Sequence, residues 1–169
     1  MGVDVTESAN ESMDRRERLA RLLEDRAGED ARRKVSELLS ERLGANVTEW
    51  EIVSPRGGRK FYSEAMEILE RQYQEKTSSV GLRSWSDVQS WVSDDIERLR
   101  GPGRALVVMG HSDTVGVVRC EWRSLEVVCL ELLRQDGELV LVLDSSRTQG
   151  FVLDLECAEG EFVVRALGW

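Results

Sequence analysis

The sequence predicts an α+β fold in which N-terminal helices pack on a largely antiparallel β-sheet of about five to six strands, with one interrupting helix. Residues 12–103 carry apolar side chains mainly at helical spacing. Residues 104–169 instead contain short apolar segments separated by Gly, Asp and Ser, which is typical of strands and turns. With 169 residues, of which 41% are hydrophobic, the chain is long enough to bury a core.

The chain is predicted to form one domain preceded by a short tail. Residues 1–11 are acidic and have few large apolar groups, so a disordered acidic tail is expected there. Residues 12–169 are predicted to form a single α+β domain. Its helical part covers residues 12–103, and its mainly sheet part covers residues 104–169.

The domain begins with two predicted helices. The first runs from Ser12 to about Ala27, and Gly28 is expected to interrupt it because glycine destabilises the interior of a helix. Asp30 can cap the second helix, which Gly44 would end as the residue after its C-cap. The apolar stripes of both helices are narrow, so their basic groups are expected on a solvated outer face.

A short strand, a turn and a third helix are predicted next. The alternation over Val47–Val53 predicts the strand, and the Pro and Gly residues of Ser54–Lys60 predict the turn. Ser63 would then open a helix that ends near Glu75. The side chains expected on its buried side are Ala65, Met66, Leu69 and Tyr73.

A fourth helix is predicted before the sheet part. Ser84 and Ser86 both offer an N-cap, and Ser86 with Gln89 fits a capping box. Gly101-Pro102-Gly103 should end the helix. Its apolar stripe comprises Val88, Trp91, Val92, Ile96 and Leu99.

The sheet part contains five apolar segments and one helix. Ser124 can cap the helix, which lies between the second and third segments. Leu139–Leu143 is apolar at every position, so we expect it to be a central strand buried on both faces. The segments are Ala105–Met109, Val115–Trp122, Leu139–Leu143, Phe151–Cys157 and Phe162–Leu167.

The period of two in Phe151–Cys157 assigns its side chains to the two faces of the sheet. The odd-numbered positions are apolar and should point into the core. Asp154 and Glu156 alternate with them and should face water, together with Val152.

The sequence offers no candidate catalytic, cofactor-binding or metal-ligating residue. His111, the only histidine, lies in Gly110–Asp113, where a turn is predicted. Three adjacent residues of a hairpin turn cannot converge as a Ser-His-Asp triad. Cys120, Cys129 and Cys157 have apolar neighbours and no C-x-x-C spacing, which predicts buried free thiols in a reducing compartment.

The charge of the chain limits the classes of partner. Net charge is −9, with 6 basic and 11 acidic residues in residues 104–169 alone. This excess of acid argues against nonspecific nucleic-acid binding and favours a basic protein partner. No apolar run approaches the ~18 residues of a membrane helix, and residues 1–14 lack the apolar region of a signal peptide, so a cytoplasmic location is expected.

Acidic pairs and one tryptophan are the candidate partner-binding residues. Acids on one strand face lie side by side rather than across a cleft, so they indicate a solvated edge or an acidic docking surface. Trp85, at a helix start, is the tryptophan expected to be most exposed, while the others are assigned to packing. The candidates are Asp94, Asp95, Asp154, Glu156, Glu159, Glu161 and Trp85.

Two alternative functions remain open at this stage. One is a hydrolase built on carboxylates. The other is a nucleic-acid-associated regulator that uses the loop Arg56–Lys60, whose backbone amides could also cradle a phosphate. It could instead use the basic residues of the first helices, which are Arg15, Arg16, Arg18, Arg32, Arg33 and Lys34.

The C-terminal segment resembles small bacterial immunity proteins, which neutralise the toxins of polymorphic toxin systems. The resemblance covers residues 104–169 only. It rests on a two-strand start over Arg104–Trp122, a short helix over Ser124–Arg134, a hairpin containing Gly150-Phe151-Val152-Leu153-Asp154, and a closing strand that ends Leu167-Gly168-Trp169. It implies a cytosolic, non-enzymatic and often acidic protein that occludes a cognate toxin, and it brings no catalytic residues. Neither the partner's identity nor the oligomeric state follows from it.

Overall fold

The computed structural model describes residues 5–44, 49–53, 55–75, 79–136, 139–158 and 161–169. Its helices and strands in this part of the chain are α1 (Val5–Leu43), β1 (Trp50–Val53), α2 (Pro55–Glu75), β2 (Val80–Leu82), α3 (Trp85–Leu99), β3 (Ala105–Met109), α4 (Ser112–Val115), β4 (Val117–Cys120), a 3₁₀ turn (Trp122–Ser124), α5 (Leu125–Asp136), β5 (Leu139–Leu143), β6 (Gly150–Ala158) and β7 (Glu161–Gly168).

All the described strands form one antiparallel sheet in the order β1-β4-β3-β5-β6-β7-β2. This confirms the predicted α+β class, with seven strands rather than about five to six. The additional strand is β2, which pairs with β7 through Val80, Gly81 and Leu82. Three residues are too few to give a period-two pattern that sequence reading can detect.

The two faces of the sheet are covered unequally. One face, here the three-helix face, carries residues such as Val107, Val142 and Phe151 and packs in one apolar cluster with buried side chains of α1, α3 and α5. The other face, here the α2 face, carries residues such as Leu106 and Leu141 and packs against buried side chains of α2. A single helix cannot cover a seven-stranded sheet, so parts of the α2 face carry polar side chains.

Strand β5 lies at the centre of the sheet, as predicted. Val140 and Val142 belong to the core of the three-helix face, whereas Leu141 and Leu143 belong to the core of the α2 face. All four are at most 2% exposed. The burial of both faces explains why the segment is apolar at every position.

Helix α1 is continuous, and the predicted break at Gly28 is wrong. Gly28 is buried, and a Cβ at this position would lie 2.9 Å from the carbonyl oxygen of Thr114. The glycine therefore allows the helix to approach α4 closely, and this tertiary contact offsets its low helix propensity. The helix begins at Val5, so residues 5–11, which were expected in a disordered tail, have helical backbone; residues 1–4 lie outside the described residues.

Helix α2 begins at Pro55, so the turn predicted over Ser54–Lys60 is wrong from Pro55 onward; Ser54 itself lies outside the described residues. Proline suits the first helical position because it has no N–H to leave unbonded. Ala65 and Leu69 are buried, as predicted, but Tyr73 is 39% exposed. The C-terminal part of α2 therefore extends beyond the apolar middle of the sheet.

The apolar stripe of α3 is confirmed, but the details of the N-termini of α3 and α5 differ from the prediction. Ser84 caps α3, and its Oγ accepts a hydrogen bond from the Asp87 N–H at 3.1 Å, so the Ser86–Gln89 capping box is wrong. Ser124 is buried in the 3₁₀ turn before α5 and donates to a carboxylate oxygen of Glu49 at 3.0 Å.

Backbone hydrogen bonds of Trp169 fix the end of the last strand. Its backbone N–H and C=O exchange hydrogen bonds with Gly150 at 2.9 and 3.1 Å. The Arg98 guanidinium also donates to the Trp169 carbonyl oxygen at 3.2 Å, which ties α3 to the C-terminal end of the sheet.

Candidate functional site

The candidate acidic residues do not form one surface. Asp94 and Asp95 lie on α3, on the three-helix side of the sheet. Asp154 and Glu156 alternate with Phe151 and the other core residues of β6, so they lie on the α2 face. These two pairs are therefore on opposite sides of the molecule, and no single flat partner can contact both.

The α3 pair is partly used in holding the fold together. Asp95 forms an ion pair with Arg98 at 3.1 Å, and Arg98 in turn binds the carbonyl oxygen of Trp169. Asp94 is exposed. The Asp95 carboxylate thus positions the arginine that fastens the C-terminal strand, whereas Asp94 remains accessible.

The acids of the sheet form a patch on the α2 face, beyond the C-terminal end of α2. The acidic patch consists of Tyr73, Asp154, Glu156, Glu161 and Arg165. Asp154 lies opposite Arg165 in the register of β6 and β7. Arg165 nevertheless forms its ion pair with Glu156, at 3.0 Å. Glu161 is exposed and follows the alternation of β7 onto the same face.

The electrostatics of the acidic patch favour an added cation. Burial raises the pKa of Asp154, and the neighbouring Glu156 carboxylate raises it further, against the opposing effect of Arg165. Burial also raises the pKa of Tyr73, to which the charge of Asp154 contributes. A partly desolvated carboxylate beside a second carboxylate is the arrangement that a positive group from outside would stabilise.

Trp85 is half-buried rather than prominently exposed. Its ring stacks on Phe162 with centroids 5.0 Å apart, and the Arg134 guanidinium lies 4.8 Å from the ring centroid. These contacts give the side chain a packing role between α3, α5 and β7. Glu159, the remaining candidate, lies outside the described residues.

The thiols differ from the prediction at one position. Cys120 and Cys129 are buried, as expected, but Cys157 is exposed because it lies near the hairpin between β6 and β7. Burial raises the pKa of Cys120 to about 12 and also raises that of Cys129. Both buried thiols are therefore protonated at neutral pH and poorly nucleophilic.

The basic residues proposed for nucleic-acid binding are partly engaged in the fold. Arg32 donates through Nε to the Val115 carbonyl oxygen at 3.1 Å. Arg33 pairs with Asp30 at 2.9 Å, while Arg18 and Lys34 are exposed. The side chains of Arg15, Arg16 and Arg56 lie outside the described ones, and Arg59 and Lys60 are exposed on α2 rather than in a loop.

A basic pocket lies at the opposite end of the α2 face from the acidic patch, and sequence reading missed it. Its volume is about 270 Å³, and its lining residues are Phe61, Arg104, Leu106, Arg119, Ser145 and Arg147. Arg119 interrupts an otherwise apolar strand, which is a signal that sequence reading could have used. The convergence of the three arginines depends on the sheet order, which the sequence does not reveal.

A larger groove of about 610 Å³ lies between α1 and the edge strand β1. Trp50 and Ile52 line it from the strand, and Arg32, Arg33 and Glu37 are among its lining residues from α1. Its charged residues have both signs, and the two arginines already bind other groups of the protein. Among the described residues that line it, no polar cluster is therefore directed at a ligand of one charge.

Comparison of the chain with protein-family models, with curated proteins and with solved structures gives no match. Across the described residues, no cluster of three or more His, Cys, Asp and Glu side chains could hold a metal ion. No helix in this part of the chain has the length and apolar character needed to span a membrane.

Proposed function

We propose that this protein is a non-enzymatic binding protein whose acidic patch receives a basic protein partner. The observation that carries the proposal is the placement of Asp154 and Glu156 on one open strand face beside the exposed ring of Tyr73, with Arg165 as the one arginine that interacts with them among the described residues. Two carboxylates that share one guanidinium leave a local excess of negative charge.

A basic partner side chain would relieve this excess. A lysine or arginine placed over Asp154 would favour its ionised form and so oppose the effects of burial and of Glu156 on its pKa. Tyr73 would add aromatic contact area, and tyrosine is among the residues that contribute most at protein interfaces. The negative field of the whole chain would accelerate the encounter with a basic partner.

The finer form of the proposal is an immunity protein that occludes a cognate toxin domain in the bacterial cytoplasm. The resemblance of residues 104–169 to such proteins supports it, and Asp154, Glu156, Glu161 and Arg165 all lie within that segment.

The test uses the protein encoded by the gene adjacent to that of this chain. Binding is measured by calorimetry with the wild type and with the double variant Asp154→Asn/Glu156→Gln, and protection is measured by growth on co-expression. We expect the double variant to bind about tenfold more weakly or worse, because it removes two charges from the contact.

The matched control is Asp94→Asn/Glu97→Gln, which removes the same two types of charge from exposed positions of α3. We expect it to bind as the wild type does. If the control loses affinity and the patch variant does not, the partner contacts the three-helix side and the assignment to the acidic patch is wrong. Absence of both binding and protection would refute the proposed function.

A further inference from the structure

We infer that the basic pocket on the α2 face is a binding site for a small organic oxyanion, a carboxylate or phosphate monoester that carries an apolar or aromatic group. Three arginines from separate parts of the chain converge here in a protein whose net charge is −9. Arg104 precedes β3, Arg119 lies in β4, and Arg147 lies in the loop between β5 and β6. The inference concerns a different site from the acidic patch and stands independently of the proposed function.

The arginines are held by carboxylates that position them without covering them. Arg104 and Arg119 approach the same oxygen of Glu51, at 3.5 and 3.0 Å. Arg104 also pairs with Glu121 at 2.9 Å, and Arg147 pairs with Glu64. Three carboxylates thus balance the three guanidinium groups in charge, but the pocket itself is lined by the arginines and by none of these glutamates.

Donor groups remain available for a ligand. A guanidinium carries five N–H donors in a planar fork. Within the described part of the chain, Arg119 donates through Nη1 to Glu51, and Arg147 donates through Nη1 to Glu64. The Nε and Nη2 groups of both side chains can therefore form the paired hydrogen bonds that suit a carboxylate or phosphate. Both side chains are just over one-third exposed, at 38% and 37%.

The loop that carries Arg147 is preorganised. The Asp144 carboxylate accepts hydrogen bonds from the backbone N–H groups of Ser146, Thr148 and Gln149, at 3.2, 3.0 and 3.0 Å. Arg147 itself has a φ of 61°, in the left-handed region that a residue with a Cβ rarely adopts. A backbone held in this region at the edge of a pocket suggests that the position of the side chain matters for function.

Apolar groups complete the pocket and limit the kind of ligand. Phe61 and Leu106 line it beside the arginines, and the Arg147 guanidinium lies 4.6 Å from the centroid of the Phe61 ring. The volume of about 270 Å³ is close to the lower end of small-molecule sites. An anionic head group would bind the arginines, while a small apolar or aromatic body would lie against Phe61 and Leu106.

The experiment measures binding of phenyl phosphate, benzoate and inorganic phosphate to the full chain by calorimetry at low salt. We expect saturable binding of phenyl phosphate or benzoate that weakens as salt is added. Arg119→Gln and Arg147→Gln should each weaken it about tenfold, because each removes a charged bidentate donor. Arg83→Gln is the matched control, since it removes an exposed arginine that lines neither the pocket nor the acidic patch, and it should bind as the wild type does.

Two results would overturn the inference. One is failure of the folded wild type to bind either phenyl phosphate or benzoate. The other is unchanged affinity in both pocket variants. If Arg119→Gln does not fold, Arg147→Gln decides alone, because its position in a surface loop makes it the safer substitution. Equal affinity for inorganic phosphate and phenyl phosphate would contradict the role given to Phe61 and Leu106.

Discussion

At both ends of the α2 face an aromatic side chain of α2 lies beside charged side chains, which are basic at one end and mainly acidic at the other. At one end, α2 places Phe61 beside three arginines. At the other end it places Tyr73 beside Asp154 and Glu156, about 18 Å further along the helix at a rise of 1.5 Å per residue. The helix covers the apolar middle of the face and leaves polar side chains uncovered at both ends. Partial coverage of an antiparallel sheet is thus sufficient to produce two chemically distinct surfaces.

The two ends also differ in the direction in which the fold shifts the pKa of an aspartate. For Asp144, burial acts to raise the pKa, but hydrogen bonds from Ser146, Gln149 and Thr148 outweigh it and the pKa is lowered. For Asp154, burial and Glu156 act in the same direction, and the pKa is raised. The first carboxylate is stabilised by the fold in its ionised form, and the second is not.

The largest loss of stability is expected from a substitution in the apolar middle of the α2 face, if this is the part that stabilises the fold. Leu141→Ala removes a fully buried side chain beneath α2 and should lower the free energy of unfolding by about 2–5 kcal/mol. Val163→Ala, at a half-buried position of β7, should cost less than about 1 kcal/mol. Urea unfolding measures both. Similar losses would mean that α2 does not divide the face into a core and open ends.

A smaller effect is expected at the basic end. Asp144→Asn should lower the free energy of unfolding at neutral pH by about 1 kcal/mol, after allowance for the exposure of the site. Because the pKa of Asp144 is lowered on folding, its contribution is present above the ordinary value of 3.8 and is lost as pH falls through the lower folded value. The gap between wild type and variant should therefore close on acidification, which urea unfolding at several pH values measures.

The smallest effect, with the opposite sign, is expected at the acidic end. The raised pKa of Asp154 means that the folded state holds its proton more tightly, so ionisation of Asp154 costs stability as pH rises above 3.8 through the folded value. The free energy of unfolding of Asp154→Asn at neutral pH should therefore be equal to that of the wild type or higher by roughly 0.5 kcal/mol. The same pH series measures it. A clear loss of stability in this variant at neutral pH would contradict the assignment of an unfavourable carboxylate pair.

The spacing of apolar residues predicted burial correctly where the pattern within a single strand is sufficient to determine it. The apolar character of Leu139–Leu143 indicated a central strand, and the alternation in Phe151–Cys157 placed Asp154 and Glu156 opposite the core-facing side chains. Val152 was expected to face water with them, which is wrong, because it is buried in the core of the α2 face. Gly28 and Pro55 were misread, because contact with Thr114 gives the glycine its role and because proline can begin a helix as well as occupy a turn.

The charged sites were less predictable, because they depend on strand order. The sequence separates Asp94 and Asp154 without showing that a whole sheet lies between them. Arg104, Arg119 and Arg147 are far apart in the chain, and only the pairing of β3 with both β4 and β5 brings them together. Local patterns carry no information about such pairings.

The most direct test of the opposite character of the two ends is an NMR titration of backbone amide shifts, first with phenyl phosphate and separately with a short oligoarginine peptide. We expect phenyl phosphate to shift the amides of Ser145 and Arg147, and the peptide to shift those of Glu156 and Arg165. Shifts of the same amides by both probes, or the largest shifts on α3 and α5, would show that the two ends do not differ in this way.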